Sequence, residues 1–233
     1  MEVKNVGLRK AALISDDDEF FRLALSSLLT ARLGFSDVIE TETFDGAVDA
    51  LSNRSDVEIA LFDLNMPGMN NWQNLRTVRD CFPEVRVAVV SGSKARSDIL
   101  MALSIGLHGY ISKGLGVSEL ARALQAICDG AVYLPSFLPD LPITENEMFA
   151  PPEPETQPSE PMGALDDLTS RQREVLEMLV NGMSNKAIAR ALDLSEGTVK
   201  FHLSAVFRIL RASNRVEAAT SGSRLLGRTR AQG

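Results

Sequence analysis

Ile59-Ala60-Leu61-Phe62-Asp63-Leu64-Asn65-Met66-Pro67-Gly68-Met69 decides the architecture of the first half of this 233-residue chain. An unbroken apolar run, Ile59 to Phe62, stops at an acid and then meets a Pro-Gly pair that has to turn. A short run without polar alternation marks a strand buried on both faces, and such strands belong to parallel sheets covered by helices. Outward from it, Ala11 to Ile14, Val38-Ile39, Val85 to Val90 and Gly109-Tyr110-Ile111 read as further strands, five in all. Between them, apolar residues three or four apart predict helices at about 19–33, 44–52, 72–81, 95–105 and 117–129. This alternation predicts an α/β unit, a doubly wound five-stranded parallel sheet, over residues 1–134.

Composition bounds the rest. Hydrophobic residues at 45% and charged residues at 24% fit a soluble chain of two ordinary domains and exclude wholesale disorder or a multi-span membrane protein. No apolar run reaches membrane-spanning length, and Met1-Glu2-Val3-Lys4 leads into no secretory core, so a cytoplasmic protein without membrane contact is expected. Cys81 and Cys128 lie far apart, and His108 and His202 are scattered, so buried free thiols and no zinc site are expected.

The net charge of −7 is uneven: −5 over 1–134, −6 over 135–163 and +4 over 164–233. Residues 135–163 hold eight of the ten prolines and no base. Prolines remove backbone donors and carboxylates repel one another, so this segment is expected to be an extended, semi-rigid linker rather than a packed one.

After it no strand pattern survives, and four caps divide the remainder into an all-α four-helix domain over 164–233. Thr169 with Gln172 forms a capping box, Ser184 and Ser195 open a second and a third helix, and Asn214 with Glu217 opens a fourth. The second and third helices make a helix-turn-helix. Val199, Leu203, Val206 and Leu210 form the inward stripe of the third, leaving Lys200, Phe201, Ser204 and Arg208 on its outer face. That face suits a DNA major groove: Lys200 offers donors to guanine, Phe201 an apolar contact to bases, and Asn185, Lys186, Thr198 and Arg208 donors to phosphates. The tail with Arg224, Arg228 and Arg230 is expected to be a loose, solvated end.

In an open parallel sheet, chemistry gathers beyond the carboxyl ends of the strands. Asp16 and Asp17 follow the first strand, Asp63 ends the third, Ser91 ends the fourth and Lys113 follows the fifth. Three converging carboxylates repel one another, and a hard divalent cation, Mg²⁺, offsets that repulsion. An ionised Asp63 beside it is placed to attack a phosphoryl group, with Ser91 and Lys113 on the phosphoryl oxygens. Singly, each of these residues reads equally as a helix cap, a turn former or a solvated charge.

As an ordered set, Ile14-Ser15-Asp16-Asp17, Leu61 to Met69, Val89-Val90-Ser91-Gly92 and Gly109-Tyr110-Ile111-Ser112-Lys113 resemble the receiver domain of two-component response regulators. The resemblance implies a flavodoxin-like fold phosphorylated on Asp63 by a sensor histidine kinase. It also implies Mg²⁺ on Asp17, Asp63 and the carbonyl of Asn65, with Asp16 acting through water. Tyr110 matches the family's switch aromatic, whose ring turns inward when Ser91 is drawn to the phosphoryl group. Asp18 stands where His is frequent and Asn71 where Gly is frequent.

Leu168 to Leu176, Gly182 to Ala189, Leu194 to Leu203 and Asn214 to Ala219 resemble the LuxR-type DNA-binding domain, so the whole chain is similar to the NarL/FixJ response regulators. Ile209 replaces a frequent Lys, removing a phosphate contact, and Arg211 replaces a frequent Gly at the end of the recognition helix. The implied function is a transcription factor, not an enzyme beyond slow self-dephosphorylation. Phosphorylation would relieve masking of the DNA-binding helices or create a homodimer that meets two half-sites of double-stranded DNA. An alternative keeps DNA binding but makes the receiver a phosphate-independent interaction module. A third reading, a Mg²⁺-dependent phosphohydrolase, lacks the general acid two residues after Asp63, where Asn65 stands.

Overall fold

The computed structural model describes residues 9–69, 72–140, 165 and 167–230. Strands β1 (Arg9–Ser15), β2 (Phe35–Thr41), β3 (Val57–Phe62), β4 (Arg86–Ser91) and β5 (Gly109–Ser112) form one parallel sheet in the order β2-β1-β3-β4-β5. Parallel neighbours need crossovers, and helices α1 (Glu19–Leu33), α2 (Phe44–Asn53), α3 (Trp72–Cys81) and α4 (Arg96–Ser104) supply them, while α5 (Val117–Cys128) follows the last strand. The pleat sorts side chains with period two. Ala11, Leu13, Ala60 and Phe62 face α2, α3 and α4 with Phe44, Leu75 and Ile99, while Ala12, Ile14, Ile59 and Leu61 face α1 and α5 with Leu25, Leu29 and Leu124.

The register places the candidate chemistry on one edge. Ser15 pairs with Phe62, Phe62 with Val89, and Ser91 with Ser112, so the residues that follow these strand ends emerge side by side. Strand β2 is longer than the expected Val38-Ile39. It is an edge strand on which Ser36, Asp37 and Glu40 face water, so its polar residues hide it from a hydrophobicity reading.

The linker expectation fails at its start. Gly130, at φ 89°, turns the chain out of α5, Tyr133 forms a parallel bridge with Gly109, and a 3₁₀ turn follows at Leu138–Asp140. Pro135 is buried, and Leu134, Phe137 and Leu138 pack against the core on the α4 side. Apolar residues interleaved with the first prolines bury themselves, which outweighs the extended preference of proline. The rest of the expected linker lies outside the described residues.

The second part consists of α6 (Ser170–Val180), α7 (Asn185–Leu192), α8 (Glu196–Ile209) and α9 (Arg215–Arg230). Each expected cap is made: Gln172 N–H to Thr169 Oγ1 at 3.2 Å, Ala187 N–H to Ser184 Oγ at 3.2 Å, Thr198 N–H to Ser195 Oγ at 3.1 Å and Glu217 N–H to Asn214 Oδ1 at 3.0 Å. Val175, Leu179, Ile188, Val199, Leu203, Val206 and Ala218 fill the core between the four helices. The tail is not loose: α9 continues to Arg230, Leu225 is buried, and Gly222 lets it approach α6, where a Cβ would stand 2.6 Å from Leu176 Cδ1. Arg211 takes the left-handed turn that glycine usually supplies, at φ 52°. No helix among the described residues is long and apolar enough to cross a membrane.

Candidate functional site

At the carboxyl edge of the sheet, Asp16 is 1% and Asp63 3% exposed, while Asp17 faces solvent. One carboxylate oxygen from each lies within 4.8 Å of the others. Lys113 Nζ reaches both buried acids, at 2.8 Å from Asp16 Oδ2 and 3.2 Å from Asp63 Oδ2, and lies over the Phe21 ring. Burial pushes the Asp16 carboxyl above its usual range, opposed by Lys113 and by the Asp18 N–H, and the Asp63 charge adds to the rise. Burial alone would lower the Lys113 pKa; the two carboxylates outweigh it and hold the ammonium above its ordinary value.

One ammonium among three carboxylates leaves an excess of negative charge, and Asp63 Oδ1 is buried with no hydrogen-bond partner among the described residues. An all-oxygen donor set with an unused buried oxygen fits a hard divalent cation. The Asp18 carboxylate takes no part in the cluster: it accepts from Phe21 N–H and caps α1, while the Asp18 N–H donates to Asp16 Oδ1. Asn65 lies in the loop directly after β3, and Asn71 is outside the described residues.

Ser91, the last residue of β4, is buried, and its Oγ accepts from Ser93 N–H at 3.2 Å. Tyr110 donates its hydroxyl proton to Ser93 O at 3.1 Å. Its ring is fully buried, so the expected outward starting position of the switch aromatic is not the one present. The neighbouring cluster of Phe62, Val89 and Ile99 gives the ring an apolar site, while its hydroxyl meets Ser91 and Ser93.

The expected DNA-reading face is divided. Lys186, Lys200 and Ser204 are exposed, and Asn185 is half-buried and accepts from Arg215 Nη1 at 3.0 Å. Thr198, Phe201 and Arg208 instead meet the first domain. Phe201 is 3% exposed and lies against Phe44, and Thr198 Oγ1 donates to Asp49. Arg208 pairs with Asp80 at 3.1 Å and donates to Gln73 O at 3.2 Å. Gly197 sits so close to α2 that a Cβ would stand 2.6 Å from Ser52 Cβ.

Several residues of this contact were not candidates from the sequence. His202 is buried with Nε2 3.0 Å from Asp45 Oδ1, and Arg171 Nε donates to Asp45 Oδ2 at 2.9 Å. Burial would raise the Asp45 pKa, but His202 and Arg171 outweigh it and hold the carboxyl below its usual range. Gln172 Nε2 donates to Asn74 Oδ1 at 3.0 Å, and Asn74 Nδ2 donates to Gly68 O at 3.0 Å, in the loop that follows Asp63. The available signal was Asp45 and Asp49, four apart on a helix whose last turn carries no base to pair them.

Comparison with known proteins agrees with this layout. Residues 12–125 match the response regulator receiver domain, and residues 166–221 match the bacterial regulatory proteins of the luxR family. The chain is 37% identical over 209 residues to the glycerol metabolism activator of Pseudomonas putida, covering 90% of this chain and 93% of that one. It is 31% identical over 208 residues to the nitrate/nitrite response regulator protein NarL of Escherichia coli, covering 89% and 92%. Among solved structures, RcsB of Salmonella enterica serovar Typhimurium bound to promoter rprA in the presence of the phosphomimetic BeF₃⁻ shares the fold. It has a TM-score of 0.51 and 19% identity, covering 91% of this chain and 98% of that one.

Proposed function

This chain belongs to the NarL-type response regulators, DNA-binding transcription factors that join a receiver to a LuxR-type helix-turn-helix, and from that premise we propose how it is switched. The receiver occupies residues 1–134 and the DNA-binding domain 164–233, joined through 135–163, whose first residues pack on the receiver. Asp63 is the phosphoacceptor: a carboxylate oxygen attacks the phosphorus of a phosphohistidine on a sensor kinase, a P–O bond forms, and the P–N bond breaks with return of the imidazole. Asp16, Asp17, Asp63 and the carbonyl of Asn65 would hold Mg²⁺. The ion, when bound, neutralises the phosphoryl oxygens. Lys113 supplies a second positive charge and Ser91 a hydrogen bond to the same group, and loss of the phosphoryl group to water is slow.

The observation that carries the switch is the burial of Phe201 and His202 of α8 against α2 of the receiver. A recognition helix covered on that side cannot lie in a major groove, so this arrangement is the silent state. Two short routes tie it to the phosphoacceptor loop. Phe44 N–H donates to Pro67 O at 3.0 Å, and Gly68 O accepts from Asn74, which holds Gln172. Phosphorylation displaces that loop, releases α8, and lets Asn185, Lys186, Thr198, Lys200, Phe201, Ser204 and Arg208 meet double-stranded DNA as a homodimer. Solved structures of RcsB include two dimers bound to two parallel DNAs, which supports a dimeric DNA complex here.

The test is DNA affinity of the full chain before and after Mg²⁺ and acetyl phosphate, with intact mass reporting the loading. A rise of at least about tenfold, ~1.4 kcal/mol, is expected for the native chain and none for Asp63→Asn. Equal affinity in the loaded and unloaded native chain would sink the switch.

A further inference from the structure

The segment that leaves α5 is held at two places, and both holds rest on the elements that surround Ser91 and Tyr110. At its start, Tyr133 N–H donates to His108 O and Tyr110 N–H donates to Tyr133 O, each at 3.0 Å, so residue 133 is stitched along β5 on either side of Gly109. Gly109 permits this approach, since a Cβ there would stand 3.2 Å from Tyr133 O and 2.6 Å from Ile127 Cδ1. At its end, Arg96, the first residue of α4, donates from Nη1 to Leu138 O at 2.9 Å. Between the two holds, Pro135 is buried, and Leu134, Phe137 and Leu138 lie on the apolar cluster that contains Tyr110.

Arg96 is joined to the phosphoacceptor edge through a short loop. Ser91 Oγ holds Ser93 N–H, Ser93 O holds the Tyr110 hydroxyl, and Ser93 Oγ donates to Asp98 Oδ2 at 2.6 Å in the first turn of α4. A phosphoryl group on Asp63 that claims the Ser91 hydroxyl therefore moves a loop whose far side carries the Leu138 hold. The Tyr110 ring is already buried, so ring rotation is not available to report that movement.

We propose that residues 131–140 form a strap that keeps the β4–α4 loop in its unphosphorylated position, and that phosphorylation releases the strap from Arg96 and β5. This rests on the switching role given above to Asp63 and Ser91, and it adds the start of the linker as the moving part. Release changes where the chain leaves the receiver. With the strap docked, the chain departs beside the start of α4, at the phosphoacceptor edge; freed, it departs at the end of α5, at the opposite edge of the sheet. The holds are reciprocal, so a chain with a weakened strap accepts phosphate more readily.

Hydrogen exchange of the full chain, read on peptides covering residues 131–140, tests this directly. After Mg²⁺ and acetyl phosphate, with loading read by intact mass, the strap amides are expected to exchange at least about tenfold faster than in the unloaded chain. Arg96→Ala should give fast exchange without loading and bind beryllofluoride at least about twofold more tightly. Phe137→Ser, which loosens the strap while keeping Arg96, should reproduce both effects if Arg96→Ala disturbs folding. Strap protection unchanged in a chain whose mass shows full loading overturns the proposal while leaving the Asp63 switch standing. A chain that never gains the phosphoryl mass refutes that underlying switch, and the strap with it.

Discussion

The Phe201 ring of the recognition helix lies 5.7 Å, centroid to centroid, from the Phe44 ring at the start of α2, and Phe44 lies 5.9 Å from Phe62, the residue before Asp63. Three rings thus run from the strand that leads to Asp63 to the helix proposed to read DNA. Such contacts add about 0.5–1.5 kcal/mol each beyond the area they bury, enough to bias a two-state equilibrium without freezing it.

Gly197 tests that bias from the DNA-binding side. Alanine is favoured over glycine inside a helix by about 1 kcal/mol, so Gly197→Ala should leave α8 as stable as before or more so. In the closed arrangement, however, the new methyl would collide with Ser52. Unphosphorylated Gly197→Ala protein is expected to bind operator DNA about tenfold tighter than the native chain, approaching the phosphorylated affinity. Affinity unchanged in an electrophoretic or anisotropy titration would show that the α2–α8 contact does not govern access.

Charge reversal at Asp80 offers a second lever. Its ion pair with Arg208 is partly exposed, worth no more than about 1 kcal/mol, and salt weakens it. Asp80→Lys replaces that attraction by repulsion, so the unphosphorylated chain should expand in small-angle X-ray scattering. The difference from the native protein should shrink as ionic strength rises. Identical scattering at low salt would mean that α8 is held by its apolar and buried contacts alone.

The receiver site was readable because its residues sit where strands stop, and strand ends are marked by the change from apolar run to turn. Asp16, Asp63 and Ser91 needed no tertiary knowledge; nor did Thr169, Ser184, Ser195 and Asn214, whose capping acts within one turn of their own helices. The closed face was not readable. Val199, Leu203 and Val206 bury one side of α8 within its own domain, while Phe201 and His202 bury another side against a domain more than a hundred residues away in sequence. A helix covered on two sides reads as one stripe with outliers, which is how Phe201 came to look like a surface residue. Asp45, Asp49 and Asp80 could not be singled out from the sequence, because their partners lie on the other domain. The strap was hidden by its prolines, which signal extension whether or not their apolar neighbours find a groove.

Closure should depend on pH through Asp45. Its carboxyl is held below the ordinary value in the closed form, where His202 and Arg171 face it from the DNA-binding domain, and it returns toward that value once the domains part. A depressed carboxylate contributes stability in full above its open-state pKa, near 4, and loses it as pH falls through the lower closed-state value. The native chain should therefore open progressively below about pH 4 in scattering profiles. Asp45→Asn, already lacking the charge, should show no such dependence in the same window. A native profile as flat as that of the variant would exclude Asp45 as a contributor.

Removing the Lys113 ammonium should expose the electrostatic tension of the acidic pocket. Without it, buried Asp16 and Asp63 face each other uncompensated, and breaking a buried pair typically costs about 3–5 kcal/mol. Lys113→Ala is expected to unfold at lower urea in a chelating buffer and to regain more stability from millimolar Mg²⁺ than the native chain does. The variant also loses a phosphoryl contact, so its uptake from acetyl phosphate should fall. Equal Mg²⁺ stabilisation of both proteins would indicate that Lys113 does not offset the carboxylate repulsion.

Arg211 turns a local strain into a trade between stability and binding. A left-handed residue with a Cβ costs about 1–2 kcal/mol, part of which glycine would give back through its freer unfolded chain. Arg211→Gly is thus expected to slow exchange of the amides that close this turn, Ala212 N–H on Phe207 O among them, by about fivefold. The arginine is exposed, two residues beyond Ile209, the last residue of α8. A cation exposed just past the end of the proposed recognition helix is expected to add a phosphate contact. The glycine variant should lose affinity for all DNA sequences alike, with the slope of log affinity against log salt shallower by about one. A variant that gains stability and keeps the native slope would leave the arginine without a role at the DNA.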